Sequence, residues 1–161
     1  MGDARINIRP LEKSDEAQWR GLWRGYLRYY EAQVGEDVYA STFARLLSPD
    51  AHEFHALVAE QDMPSQNPPA GQNARLVGLV HYLFHRHCWK IEDVCYLQDL
   101  YTEPALRGQG IGRALIEAVY AAADHAGAPD VYWLTQDFNT PARRLYDRVA
   151  KVTPFIKYVR P

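Results

Sequence analysis

The run Tyr96-Leu97-Gln98-Asp99-Leu100-Tyr101-Thr102-Glu103-Pro104-Ala105-Leu106-Arg107-Gly108-Gln109-Gly110-Ile111-Gly112-Arg113-Ala114-Leu115-Ile116 combines residue types that can do chemistry. It reads as a strand, a glycine-rich turn and a helix. Glycine lets a backbone come close to a ligand, and the first N–H groups of a helix have no partner within it. A helix entered through such a turn is a candidate phosphate cradle. Tyr29, Tyr30, Glu31, Glu36 and Asp37 place aromatic faces beside carboxylates, which suits a cation, and equally describes core aromatics next to a solvated acidic end. His81, His85 and His87 share one face of a strand by the period of two. Without an acidic partner they make a poor zinc site, so no metal is expected; His85 is a candidate proton acceptor, directly or through water.

The elements that must position these groups follow from periodicity. Ile6 to Arg9 reads as a strand ended by Pro10. Asp15 and Gln18 form a capping-box-like start, and Trp19, Leu22, Trp23, Tyr26, Leu27 and Tyr30 then mark one face of a helix. A second helix is predicted over Val38 to Leu47 and a strand over Phe54 to Glu60. Gln61 to Asn73, with its prolines and amides, reads as a loop joining a hairpin. Strands follow over Leu76 to His87 and Val94 to Thr102, then a helix over Gly110 to Ala126 stopped by Gly127. Val131 to Gln136 reads as a strand. Thr140 is a candidate N-cap with Pro141 behind it, opening a helix whose inner face is Ala142, Leu145, Tyr146 and Val149. Phe155 to Val159 reads as a last strand. The order β α α β β β α β α β predicts one α/β (α+β) domain over residues 1–161, a mixed central sheet flanked by helices.

Composition narrows the function classes. The chain has 161 residues, 47% hydrophobic and 24% charged, with a net charge of −2. Nothing there marks a nucleic-acid or membrane-surface binder. No apolar run approaches ~20 residues, and no secretory leader is evident, so a cytoplasmic protein is expected. Cys88 and Cys95 have neither redox-motif nor zinc spacing.

Among glycine cradles, a dinucleotide fingerprint wants glycine where Arg113 stands, and a P-loop wants a lysine that is missing. Arg107, Gly110 and Gly112 meet a third pattern, Arg/Gln-x-x-Gly-x-Gly/Ala. It resembles the pyrophosphate loop of the GNAT superfamily of acyl-CoA-dependent N-acetyltransferases. Trp133-Leu134-Thr135-Gln136-Asp137-Phe138-Asn139-Thr140-Pro141-Ala142-Arg143-Arg144-Leu145-Tyr146 is similar to that family's second motif, and the element order is the family's order. The strand Tyr96 to Tyr101 and the paired Tyr29-Tyr30 resemble a branch that includes yeast-type histone and polyamine acetyltransferases.

The resemblance implies acetyl-CoA as donor and a primary amine as acceptor: a small amine, a polyamine or a Lys-bearing peptide. It implies that Arg107, Gly108, Gln109, Gly110, Ile111 and Gly112 cradle the pyrophosphate. Main-chain groups of Leu100, Tyr101 and Thr102 would hold the pantetheine arm, with Asn139 and Arg143 nearby. Tyr146 would be the general acid beside the thioester sulfur; its place on the inner helix face equally suits a core aromatic. Tyr29, Tyr30, Glu31 and Asp99 would meet the acceptor. Relatives often carry Glu at the position of Gln98, where an amide cannot take a proton. By strand alternation Asp99 faces away from Gln98. Neither cysteine has a base partner, which points to direct transfer. A homodimer is expected, with a further C-terminal strand either absent or supplied by a partner. The alternatives are a non-catalytic acyl-CoA sensor, which Gln98 favours, and an interaction subunit using the Gln61 to Asn73 loop.

Overall fold

In a computed structural model, described over residues 5–62 and 74–161, five strands form one sheet in the order β1-β2-β3-β4-β5. These are β1 (Ile6–Pro10), β2 (His55–Asp62), β3 (Ala74–His85), β4 (Val94–Thr102) and β5 (Val131–Tyr132). The helices are α1 (Glu16–Tyr29), α2 (Glu36–Leu46), α3 (Ile111–His125) and α4 (Thr140–Val149). Strands β1 to β4 pair antiparallel in chain order, and β5 pairs parallel to β4 after the α3 crossover. Most of the loop expected at Gln61 to Asn73 lies outside the described residues; Gln61 itself belongs to β2.

The sheet separates two cores. On one face, Trp19, Leu22 and Trp23 of α1 and Tyr39, Phe43 and Leu46 of α2 pack on Val58, Leu76 and Leu79. On the other, Ile111, Leu115, Ile116 and Val119 of α3 pack on Val77, Val80, Cys95 and Leu97. The apolar stripes read from the sequence are these two faces, and their burial away from water drives the layering.

Local details differ from the sequence reading. Asp15 does not pair with Gln18: its Oδ2 accepts the Glu12 N–H at 2.8 Å and the Arg9 Nη1–H at 2.7 Å, while Gln18 Oε1 accepts the Leu76 N–H at 2.9 Å. The N-cap of α4 is Asn139, whose Oδ1 accepts the Ala142 N–H, and Thr140 is the first helical residue.

Two strand expectations fail for one reason. β5 ends at Tyr132 instead of Gln136, and no strand forms over Phe155 to Val159. A strand needs a neighbour for its N–H and C=O groups. β4 turns away beyond Tyr96, and the outer edge of β5 has no partner among the described residues. The segment 151–161 is therefore irregular and exposed, with Phe155 at 83% and Tyr158 at 88% accessibility.

Candidate active site

The glycine turn takes the form that an anion cradle requires. A 3₁₀ turn (Pro104–Leu106) carries the chain off β4, and Gly108 and Gly110 follow at φ 81° and 84°. Only glycine occupies this left-handed region without strain. An added Cβ on either would meet no protein atom within 4 Å, so the concave side is open. Gly110 caps α3 without a side-chain hydrogen bond, and the first helical bond runs from the Ala114 N–H to the Gly110 carbonyl at 2.9 Å. The N–H groups of Ile111, Gly112 and Arg113 have no partner within the helix. The Arg107 Nε–H donates to the Thr102 carbonyl at 3.2 Å and its guanidinium lies over the Tyr101 ring, keeping a positive charge beside the turn. A Cβ on Gly112 would stand 3.3 Å from Leu145 and 3.8 Å from Thr102 Oγ1, so α4 and the end of β4 close the cradle. Anion affinity follows from free N–H groups, helix dipole and guanidinium together.

β4 is opened by a bulge. His81 pairs with Asp99 but Tyr82 pairs with Leu97, leaving Gln98 as the extra residue. Leu97 and Leu100 both pack on the α3 side although they are three positions apart. Gln98 and Asp99 between them therefore both fall on the α1 side, which corrects the expectation of opposite faces; a bulge breaks the alternation. β5 pairs only with Cys95 and Tyr96, so β4 from Leu97 to Thr102 has no strand partner on that edge among the described residues.

Phenols from three elements converge at this gap. Tyr26, Tyr29 and Tyr30 lie near the end of α1, with Tyr26 and Tyr29 ring centroids each 5.0 Å from that of Tyr30. Tyr146 on α4 packs edge-on against Trp133 at 5.3 Å. Burial, with smaller contributions from Tyr30 and Tyr29, pushes its phenol up to about 12. Tyr146 thus lies within electrostatic reach of the α1 pair although more than a hundred residues separate them. Tyr96 stacks on Tyr132 at 5.0 Å at the last β4–β5 pair.

Beneath these rings lies a buried polar cluster. His81 and Asp99 are 4% and 7% exposed, with Nδ1 and Oδ2 2.9 Å apart. The Trp19 Nε1–H donates to His81 Nε2 at 2.9 Å and the Trp23 Nε1–H to Asp99 Oδ2 at 3.2 Å. Burial first, and then the charge of Asp99, raise the pKa of the Tyr26 phenol. Sequence reasoning missed His81, Trp19, Trp23 and Tyr26 as parts of the site. A signal existed: His81 and Asp99 are polar positions in otherwise apolar strands that face a tryptophan-bearing helix.

The structure does not bring His85 to this gap. It pairs with Val94 at the far end of β4, and its Nδ1 and Nε2 lie 2.9 Å from the Arg86 carbonyl and 2.8 Å from the Tyr132 hydroxyl. Glu31 is exposed just after α1, at φ 54°. Arg143 reaches back to the Asp137 carbonyl at 2.7 Å. Asn139 is 8% exposed and spends one oxygen on its cap. Of the thiols, Cys95 is buried and thereby pushed up to about 12, while Cys88 is exposed. A cleft of about 320 Å³ between α1 and the ends of β3 and β4 shares Tyr101 with the site but none of the phenols around Asp99.

The model of the acetyltransferase (GNAT) family matches residues 19–150. The chain belongs to this family. It is a GNAT N-acetyltransferase. It is 35% identical over 160 residues to the D-amino-acid N-acetyltransferase HPA3 of Saccharomyces cerevisiae, covering 99% of this chain and 93% of that protein. Over 93 residues it is 38% identical to the thialysine N-epsilon-acetyltransferase of Mus musculus, covering 58% of this chain and 52% of the relative. The fold matches an aminoglycoside N-acetyltransferase AAC(6')-Iy in complex with CoA, with a TM-score of 0.79, 17% identity and 99% and 97% coverage of the two chains. A ribosomal-protein-alanine N-acetyltransferase from Brucella melitensis matches with a TM-score of 0.71 and 21% identity, over 98% of this chain and 99% of the other.

Proposed function

We propose that this GNAT enzyme moves the acetyl group of acetyl-CoA directly onto a primary amine at the gap between β4 and β5. The observation that carries the reading is the open glycine cradle at the N-terminus of α3 beside the edge of β4 that β5 leaves uncovered, with Tyr146 packed on Trp133 just past β5. The diphosphate of the donor sits on the N-terminus of α3, held by Gly108 to Gly112 and Arg107. The pantetheine arm runs along the main chain of Leu100, Tyr101 and Thr102, with Asn139 and Arg143 on its far side. N–H groups of that bulged edge stabilise the tetrahedral oxyanion.

Two proton problems remain for the protein. An alkylammonium of pKa ~10.4 costs about 4–5 kcal/mol to deprotonate at neutral pH. Gln98 offers no basic group for this, and His85 is engaged elsewhere, so neither serves as base in this reading. The departing thiolate also needs a donor. Tyr146 supplies it: its high pKa keeps the phenol protonated. Attack is direct, since burial holds the Cys95 thiol in its unreactive form.

Acceptors are small primary amines, with a D-amino acid and thialysine the first to test because of the relatives' activities, and polyamines and Lys-bearing peptides next. We assign the enzyme to the cytoplasm; no described helix is long and apolar enough to cross a membrane. We further propose a homodimer. Val152, Phe155, Ile156, Tyr158 and Val159 are all more than 70% exposed, and β5 has an edge without a partner among the described residues that an extended segment of a second copy can occupy. Phe155→Asp with Tyr158→Asp should halve the mass by sedimentation; an unchanged mass would remove the tail from the interface.

Thiol release from acetyl-CoA across that amine panel tests the function. Acceptor-dependent release is expected. Tight acetyl-CoA binding with no release for any amine would instead support an acyl-CoA sensor.

A further inference from the structure

An interior glycine weakens a helix, yet α1 keeps two of them one turn apart, Gly21 and Gly25. The space beside them differs. A Cβ on Gly21 would meet no protein atom within 4 Å. A Cβ on Gly25 would stand 2.7 Å from Cζ of Tyr101 and nearer still to its hydroxyl oxygen. The phenol at the end of β4 is therefore seated in a notch of α1 that any side chain at position 25 would fill.

The same ring carries Arg107. The guanidinium carbon lies 5.8 Å from the Tyr101 ring centroid, and the Arg107 Nε–H is held by the Thr102 carbonyl. The two Nη groups have no acceptor among the described residues. The nearest carboxylate along the chain, Glu103, is taken by Arg75 and does not draw the guanidinium away. An arginine held in this way is ordered before an anion arrives, so less rotamer freedom is lost on binding.

The notch decides where the ring lies. α1 itself is fixed, because Trp19 and Trp23 are buried in the core on its inner face. The ring is not, since Tyr101 borders the cleft of about 320 Å³ that Gly21 and Leu22 also line. A Cβ at position 25 would push the ring off α1 toward that cleft and take the platform from Arg107.

Resting on the acetyl-CoA reading of the glycine cradle, we propose that the Gly25 notch positions the Tyr101 ring, and that the ring positions Arg107 for the donor diphosphate. The donor loop is thereby tied to the helix that bears Tyr26 and Tyr29. Gly25 and the Tyr101 side chain are positioning residues; Arg107 is the group that meets the anion.

Calorimetry with acetyl-CoA in a double-mutant cycle tests this. Gly25→Ala should weaken binding about three- to fivefold, the worth of a cation–π contact at an exposed site. Arg107→Ala should weaken it at least about tenfold. The double variant should bind within about 1.5-fold of Arg107→Ala, because the notch acts only through that arginine. Gly21→Ala, in the same helix but beside open space, should stay within about 1.5-fold of wild type. Tyr101→Leu removes the ring without touching the helix; it should repeat the Gly25→Ala loss and its dependence on Arg107, and it carries the cycle if Gly25→Ala does not fold. A further three- to fivefold loss in the double variant, an equal loss in Gly21→Ala, or no loss in Gly25→Ala would overturn the proposal. A wild-type protein that does not bind acetyl-CoA would overturn the donor reading itself, whereas binding with additive losses overturns this inference alone.

Discussion

Replacing Tyr146 by Phe removes one oxygen and keeps the ring that packs on Trp133. The magnitude follows from where that phenol sits. Burial, then Tyr30 and Tyr29, push it up to about 12. Against a thiolate of pKa ~8.5 in water, full proton transfer would be uphill by about 5 kcal/mol. The departing sulfur is desolvated at the same place, which raises its own basicity and narrows that gap. Tyr146 therefore acts first as a hydrogen-bond donor to developing negative charge, worth about 3–4 kcal/mol where water is excluded. Turnover by Tyr146→Phe should fall about 100- to 1,000-fold, with acetyl-CoA affinity within about twofold. The assay is steady-state thiol release, with donor affinity measured separately by calorimetry. A raised pKa also fixes the pH behaviour. The donor form persists to about 12, so wild-type turnover should not decline through the ordinary tyrosine range near pH 10 from loss of this proton. A loss of less than threefold in the variant would remove Tyr146 from the chemistry. A Tyr146-dependent decline with a midpoint near pH 9 would refute the burial argument.

Further outcomes follow from other parts of the structure. Gly110→Ala puts a Cβ at φ 84°, costing about 1–2 kcal/mol and filling the cradle; the thermal shift given by acetyl-CoA should largely vanish, and a full shift would relocate the diphosphate. His85→Ala should change turnover less than about threefold by the same thiol assay, since both ring nitrogens are engaged away from the gap. Arg9 binds Asp15 and Glu60; burial opposes the Asp15 charge, but Arg9 and the Glu12 N–H outweigh it and hold the carboxyl below its usual range. That stabilisation is complete above the unfolded pKa of ~3.9 and is lost as pH falls through the lower folded value. Arg9→Ala should cost about 2 kcal/mol near neutral pH and less at low pH, by denaturant titration. A constant cost across pH would mean that the loss is one of packing.

The parts of the fold that were legible in the sequence are those whose causes are local. β4 is Val94 to Thr102 in both readings, because an apolar run ends where Glu103-Pro104 stops it. The glycine turn and α3 follow immediately from residue type. What escaped depends on distant partners. That the bulge of β4 falls at Gln98 is a matter of register between β3 and β4, and no single segment signals its position. The Trp19–His81–Asp99 cluster joins three elements, and Trp19 alone reads as core. Tyr146 and Tyr30 come within electrostatic reach of each other only through the placement of α4 and α1 in the folded chain. Phe155 to Val159 has strand composition but no neighbouring strand among the described residues.

Acetyl-CoA labelled with carbon-13 in its acetyl group tests the central claim most directly, with the amine acceptor and the protein both followed by mass spectrometry. Direct transfer predicts label in an amide of the acceptor, one CoA thiol released per amide, and none on the protein. Label retained on Cys88 or Cys95, or thiol release without a labelled amide, would contradict it.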